Sequence, residues 1–137
     1  MFFKKNKDQN ENDDLAKVAA LLIHAAKIDE DYSKHEEEII KNAILKMGAS
    51  DQSLEYIIKK GREIEENSNQ ILDFTREVKN MDEKNKIKII ETLWLIIYSN
   101  KEADIYETNL MRRLAGLLYI DDKLMGNIKD RIKNEIL

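Results

Sequence analysis

The chain has 137 residues, 42% apolar and 36% charged, with no cysteine, no proline, four glycines and a formal net charge of −4. This length and balance give one domain that buries a core and exclude a wholly disordered chain, while the scarcity of turn formers argues against an all-β fold. The missing cysteines exclude disulfides, thiolate metal sites and thiol catalysis, and the negative charge disfavours nucleic acid as a partner.

Residues 1–12 read as a mobile head, polar after Phe2 and Phe3. Phe2, Phe3, Lys4, Lys5 and Lys7 suit an anionic membrane surface, although Asp8, Glu11, Asp13 and Asp14 follow and weaken any such attraction. No secretory signal is expected, because the basic start lacks a following apolar run. A single helical domain is expected over residues 13–137.

Its first helix carries Leu15, Val18, Ala19, Leu22 and Ala26 at the spacing of one buried face. After a charged turn, a second helix carries Ile40, Ala43, Ile44 and Met47, and Gly48 fits its C-terminal cap. Ser50 or Asp51 can cap a third helix with Leu54, Ile57, Ile58 and Ile64. Ser68 or Asn69 can open a short fourth helix with Ile71, Phe74, Thr75 and Val78. Asp82 can cap a fifth, over residues 83–98, which is apolar on nearly every side and should run through the centre of the bundle. Within it, Ile87 to Tyr98 is interrupted by Lys88 and Glu91 and falls short of the ~20 apolar residues a bilayer span needs, so a cytoplasmic protein is expected. A sixth helix carries Leu110, Met111, Leu114 and Leu117, and a seventh Leu124, Ile128 and Ile132. Gly61, Gly116 and Gly126 fall inside these patterns at a cost of about 1 kcal/mol each against alanine, which close helix approach would offset.

The chain repeats itself at a shift of 71 residues. Leu22 falls on Leu93, Ile23 on Trp94, Ala26 on Ile97, Glu36 on Glu107, Ile40 on Met111 and Met47 on Leu118. Each half is an apolar helix, a charged turn, a helix opening with a glutamate, and a further helix. The expected fold is therefore all-α, about seven helices in a compact bundle, with two pseudo-symmetric halves around the central helix at 83–98. Halves packed face to face would bring their turns towards a pseudo-twofold axis.

The first turn, Asp29-Glu30-Asp31-Tyr32-Ser33-Lys34-His35-Glu36, is rich in the oxygen ligands that hard cations take. It is not an EF-hand, since Lys34 and Ile40 stand where that loop needs glycine and glutamate. The second turn runs from Asn100 to Glu107 at the same spacing, so Asp29, Asp31, Glu36, Asn100 and Glu107 could share one divalent cation, with Ca²⁺ favoured. A plainer role competes. Ser33-x-x-Glu36 and Asp104-x-x-Glu107 are capping boxes, which account for both glutamates without metal.

The other chemistry-bearing residues favour structural roles. Trp94 fills the core, His24 sits beside the apolar stripe, and neither histidine has a glutamate three residues before it, as a di-iron site requires. Arg112-Arg113 can meet an anionic partner, but a solvated pair bridging to Glu107 or Asn109 is favoured. No hydrolase motif or phosphate-binding glycine loop is present, so no enzyme is expected. A metal-dependent hydrolase using these acids would need a substrate pocket beside them.

The doubled pattern of apolar helix, acidic turn and glutamate seven residues on resembles the tellurite-resistance TerB-like family. The second half is the closer match, in Leu95-Ile96-Ile97-Tyr98-Ser99-Asn100, Tyr106-Glu107 and Leu110 to Ile120. The resemblance covers roughly residues 15 to 135 and implies a helical bundle of pseudo-twofold halves with an acidic site for a divalent cation. The family's acids map onto Asp29, Glu36 and Glu107, whereas Asn100 replaces a second aspartate, and Glu30 and Lys101 replace turn glycines. The loss of one negative charge and the gain of a positive one should weaken a cation site. The resemblance also implies a stress-related regulatory or scaffold module, in part at the inner membrane surface, that engages a protein partner. The alternative is a protein-interaction scaffold without metal, in which the acids are helix caps.

Overall fold

The computed structural model describes residues 2–27, 34–67, 76, 78–98 and 105–136, with side chains described from Asn12 in the first helix, from Asn109 in the fifth and up to Glu135 in the last. Among these residues there are six helices and no strand: α1 (Phe2–Ala26), α2 (Lys34–Lys46), α3 (Asp51–Glu66), α4 (Glu83–Tyr98), α5 (Ile105–Leu117) and α6 (Asp122–Ile136). The fold is all-α, and six helices lie among the described residues, where seven are expected for the whole chain. The expected short helix after Ser68 lies largely outside the described residues, where only Arg76 and Val78 are seen, both helical, with Val78 buried.

The helical backbone of α1 reaches back to Phe2, through the segment read as a head. No proline or glycine interrupts residues 2–26, and Lys, Gln, Glu and Ala favour helix there. Its second half also departs from the expected single buried face. Ala16, Val18, Ala19, Ala20, Leu21, Leu22, Ile23, Ala25 and Ala26 are all buried. A helix buried on every side must be enclosed by others, so α1 shares the centre with α4. The expected central role of α4 stands, with Ile89, Ile90, Thr92, Leu93, Trp94, Ile96, Ile97 and Tyr98 buried. The two central helices touch each other; α3 covers α1, α6 covers α4, and α2 packs on both.

Helices α1 and α3 approach each other closely at Gly61. A Cβ there would lie 2.8 Å from the Cβ of Ala19, 3.1 Å from the carbonyl oxygen of Ala16 and 3.2 Å from the backbone nitrogen of Ala20. Glycine thus lets the helices meet backbone to backbone. Gly116 and Gly126 have nothing within 4 Å of such a Cβ, so close approach does not explain them.

The 71-residue repeat is written into the backbone. A shift of 71 carries the ends of α2 onto those of α5 and the start of α3 onto that of α6. It also carries the end of one helix onto the end of the other. The N–H of Gly48 donates to the Leu45 carbonyl (3.1 Å) and that of Ala49 to the Ile44 carbonyl (3.3 Å). The N–H of Tyr119 donates to Gly116 (3.3 Å) and that of Ile120 to Ala115 (2.9 Å). Both are Schellman caps, which need a left-handed residue, and Gly48 (φ +112°) and Tyr119 (φ +57°) supply it.

Helix starts follow the sequence. Ser50 caps α3, accepting from the Ser53 N–H at 3.2 Å, while the Ser50 N–H donates to the Ser53 hydroxyl at 3.2 Å. Asp82 caps α4, its Oδ1 accepting from the Asn85 N–H at 2.8 Å. Each satisfies donors that a helix start leaves open.

Candidate cation site at the paired helix junctions

Both acidic turns join a buried helix to a helix that starts with acids. The first connects the buried end of α1, at Ala25 and Ala26, to α2; the second connects the buried end of α4, at Ile96, Ile97 and Tyr98, to α5. Asp29, Asp31 and Asn100 lie outside the described residues, as do Ser33 and Asp104 of the two capping boxes. Glu107 stands on α5 at the third helical position, but its side chain is outside the described set. Of the five expected ligands, Glu36 is therefore the one whose environment is described.

Glu36 is the third residue of α2 and only 4% exposed. Carboxylates are almost never buried to this degree without pairing. The start of a helix favours the charge, because the first N–H groups carry partial positive charge. Glu37 follows it in the same turn and pairs with Arg62 of α3. Among the described residues no three His, Asp or Glu side chains cluster to hold a metal; the turns themselves lie outside that set.

The side chains below the two turns differ between the halves. In the first half, Lys27 Nζ lies 2.9 Å from Glu65 Oε2 and His24 Nδ1 lies 3.5 Å from Glu65 Oε1, tying the end of α1 to the last turn of α3. His24 is thus half-buried beside a carboxylate, in line with its expected structural role. In the second half, Trp94 and Tyr98 occupy the positions of Ile23 and Lys27. Their rings stack with centroids 5.8 Å apart, and Lys129 Nζ sits 5.4 Å from the Trp94 ring centroid. Trp94 fills the core as expected, and its buried Nε1 has no hydrogen-bond acceptor among the described residues. Burial, and then the nearby Asp130 carboxylate, raise the Tyr98 hydroxyl above the ordinary tyrosine pKa.

Sequence reasoning missed the Glu65 contacts, because α1 and α3 meet across 38 residues of chain and no local signal marks the pairing. It also missed a small groove of about 160 Å³ between α2 and α4, lined by Ile39, Ala43, Lys46, Lys88, Glu91 and Thr92. Lys88 Nζ donates there to the Lys46 carbonyl (3.2 Å) and the Thr92 hydroxyl to the Lys88 carbonyl (2.7 Å). The groove is smaller than the roughly 300–1,000 Å³ of typical ligand pockets, and its Lys88 and Thr92 side chains are already bonded to backbone carbonyls. No helix among the described residues is long and apolar enough to cross a membrane.

Neither a curated protein nor a solved structure matches the chain. A family model, described as tellurite resistance protein TerB, matches residues 15–130. That span contains the buried second half of α1, all of α4, both acidic turns and both left-handed caps. On this match, over most of its length, the chain belongs to the TerB family.

Proposed function

We propose that this chain is a non-enzymatic TerB module that works as a stress-related regulatory or scaffold protein in the cytoplasm, holding a divalent cation between its two acidic turns and engaging a protein partner. The observation that carries the reading is the burial of Glu36 at the start of α2 in a duplicated frame whose equivalent position is Glu107. Asp29, Asp31, Glu36, Asn100 and Glu107 would supply oxygen ligands, and Ca²⁺ suits such a set. The cation would join the two halves at their turns, in addition to the helix packing and the Lys88–Lys46 hydrogen bond that already connect them, and a partner would read the turns so joined. Phe2, Phe3 and the lysines behind them support a weak contact with the inner membrane surface.

A second reading draws on Asn100 and Lys101, which lower the negative charge of the second turn. In it the acids are helix caps and the module is a scaffold without metal. Calorimetric titration of chelator-treated protein with Ca²⁺, Mn²⁺ and Zn²⁺ separates the two. Saturable heat that Asp29→Ala removes is the outcome expected of the cation site. Absence of heat with all three ions, together with a stability loss confined to Glu36→Ala, would leave the scaffold reading.

A further inference from the structure

Helix α4 holds both halves by their ends. The Schellman bonds at the end of α2 use the carbonyls of Ile44 and Leu45, and those at the end of α5 use the carbonyls of Ala115 and Gly116. Beyond them, one further carbonyl in each half accepts a hydrogen bond from α4. Lys88 Nζ donates to the Lys46 carbonyl at 3.2 Å, and Lys86 Nζ donates to the Leu118 carbonyl at 3.0 Å. Helix ends leave such carbonyls open and carry partial negative charge, which an ammonium group suits. Residues two apart on a helix stand about 200° from each other around it. Lys86 and Lys88 therefore leave α4 on opposite sides, one towards each half, and both are half-buried.

The two helices held in this way are the ones that carry the glutamates. α2 and α5 are each 13 residues long, and Glu36 and Glu107 are third in them, at the end opposite the lysine contact. A helix of that length is a rod of about 20 Å. Apolar packing is non-directional, so it resists sliding of such a rod less well than a charge-assisted bond fixed at one end. When the rod slides, its glutamate moves with it. Both rods are tied to one helix, so losing either lysine contact alters the spacing of the two glutamates.

We infer that Lys86 and Lys88 are positioning residues for the cation site: by holding the far ends of α2 and α5 to α4, they set the distance between Glu36 and Glu107. This rests on the cation reading and adds to it two residues that lie a helix length away from the ligands.

The chain has no cysteine, so paired spin labels test the spacing directly. Glu38 and Asn109 are exposed, equivalent at the 71-residue shift, and each two residues beyond a candidate ligand. Labels on Glu38→Cys and Asn109→Cys report the distance between the starts of α2 and α5. Lys86→Met and Lys88→Met keep a long side chain and lose the donor; each should shift or broaden the distance distribution, and arginine at the same positions should largely restore it. Calorimetric titration with Ca²⁺, on the same variants without labels, should show affinity about tenfold weaker, the lower end of what outer-shell partners of metal ligands cost. Lys84→Met, exposed on the same helix, is the control and should change neither. Circular dichroism melts of each variant establish that it folds. A distance distribution unchanged in both methionine variants overturns the inference, and a fall in melting temperature alone marks the lysines as helix caps and nothing more. Ca²⁺ affinity equal to that of the wild type overturns this inference and leaves the cation reading standing, whereas a wild type that takes up no Ca²⁺ overturns both.

Discussion

Gly61→Ala is the sharpest probe of the packing that sets the α1–α3 contact. In an exposed helix, Gly→Ala stabilises by about 1 kcal/mol through helix propensity. At Gly61 the new methyl would stand 2.8 Å from the Ala19 Cβ, with backbone atoms of Ala16 and Ala20 at 3.1 and 3.2 Å. None of these is the far end of a flexible side chain, so the helices must move apart, and overpacking of this kind costs about 1–3 kcal/mol. The propensity gain offsets part of that, leaving Gly61→Ala destabilising by about 1 kcal/mol, with Gly61→Val further down the same path. Gly126→Ala is the internal control: nothing lies within 4 Å of its Cβ, so it should stabilise by about 1 kcal/mol, or about 4 °C in melting temperature. Urea unfolding followed by circular dichroism gives both values. If Gly61→Ala stabilises as much as Gly126→Ala, the contact between α1 and α3 is looser than described and the reasoning fails.

Three further outcomes are expected. Tyr119→Gly relieves a left-handed conformation and should stabilise by about 1 kcal/mol, whereas Gly48→Ala, at φ +112°, should destabilise by about 1–3 kcal/mol; equal signs in thermal melts would contradict the equivalence of the two caps. Ser50→Ala and Asp82→Ala remove N-cap acceptors and should each cost about 1 kcal/mol in urea unfolding, and neutrality at both would show that the starts of α3 and α4 are held by packing alone. Tyr98 is held neutral by burial and by Asp130, so its folded pKa lies above the unfolded value of about 10. Its contribution is whole below about pH 10 and is lost as pH rises through the folded value, so Tyr98→Phe should flatten the alkaline decline in stability; an unchanged slope would contradict this.

The sequence carried the helix order because the apolar spacing is strong and few residues compete with it. Gly48, Ser50 and Asp82 were legible as caps because their chemistry is local: a left-handed residue or a side-chain oxygen satisfying a neighbouring backbone group. The repeat was legible through Leu22 and Leu93 or Ile40 and Met111, where the same burial keeps the same residue class. The full burial of α1 was not legible. Alanine is at home on either face of a helix, and Lys17 and His24 break the apolar run. Tyr119 was hidden for the opposite reason, since nothing in a tyrosine announces a left-handed cap; only its register against Gly48 does. The glycines gave one signal for two situations, close approach at Gly61 and open space at Gly116 and Gly126. Of the candidate site, the sequence offered five ligands, and the structure describes the surroundings of Glu36.

The measurement that bears most directly on the proposed cation site is the melting temperature of chelator-treated protein with and without Ca²⁺, taken beside Asn100→Asp. A ligand at about 100 times its dissociation constant adds about 2.7 kcal/mol to the folded state. The account predicts a rise in melting temperature with Ca²⁺, larger in Asn100→Asp because the second turn regains a negative charge, and lost in Asp29→Ala. Melting curves that superimpose with and without Ca²⁺ in both the wild type and Asn100→Asp would contradict it.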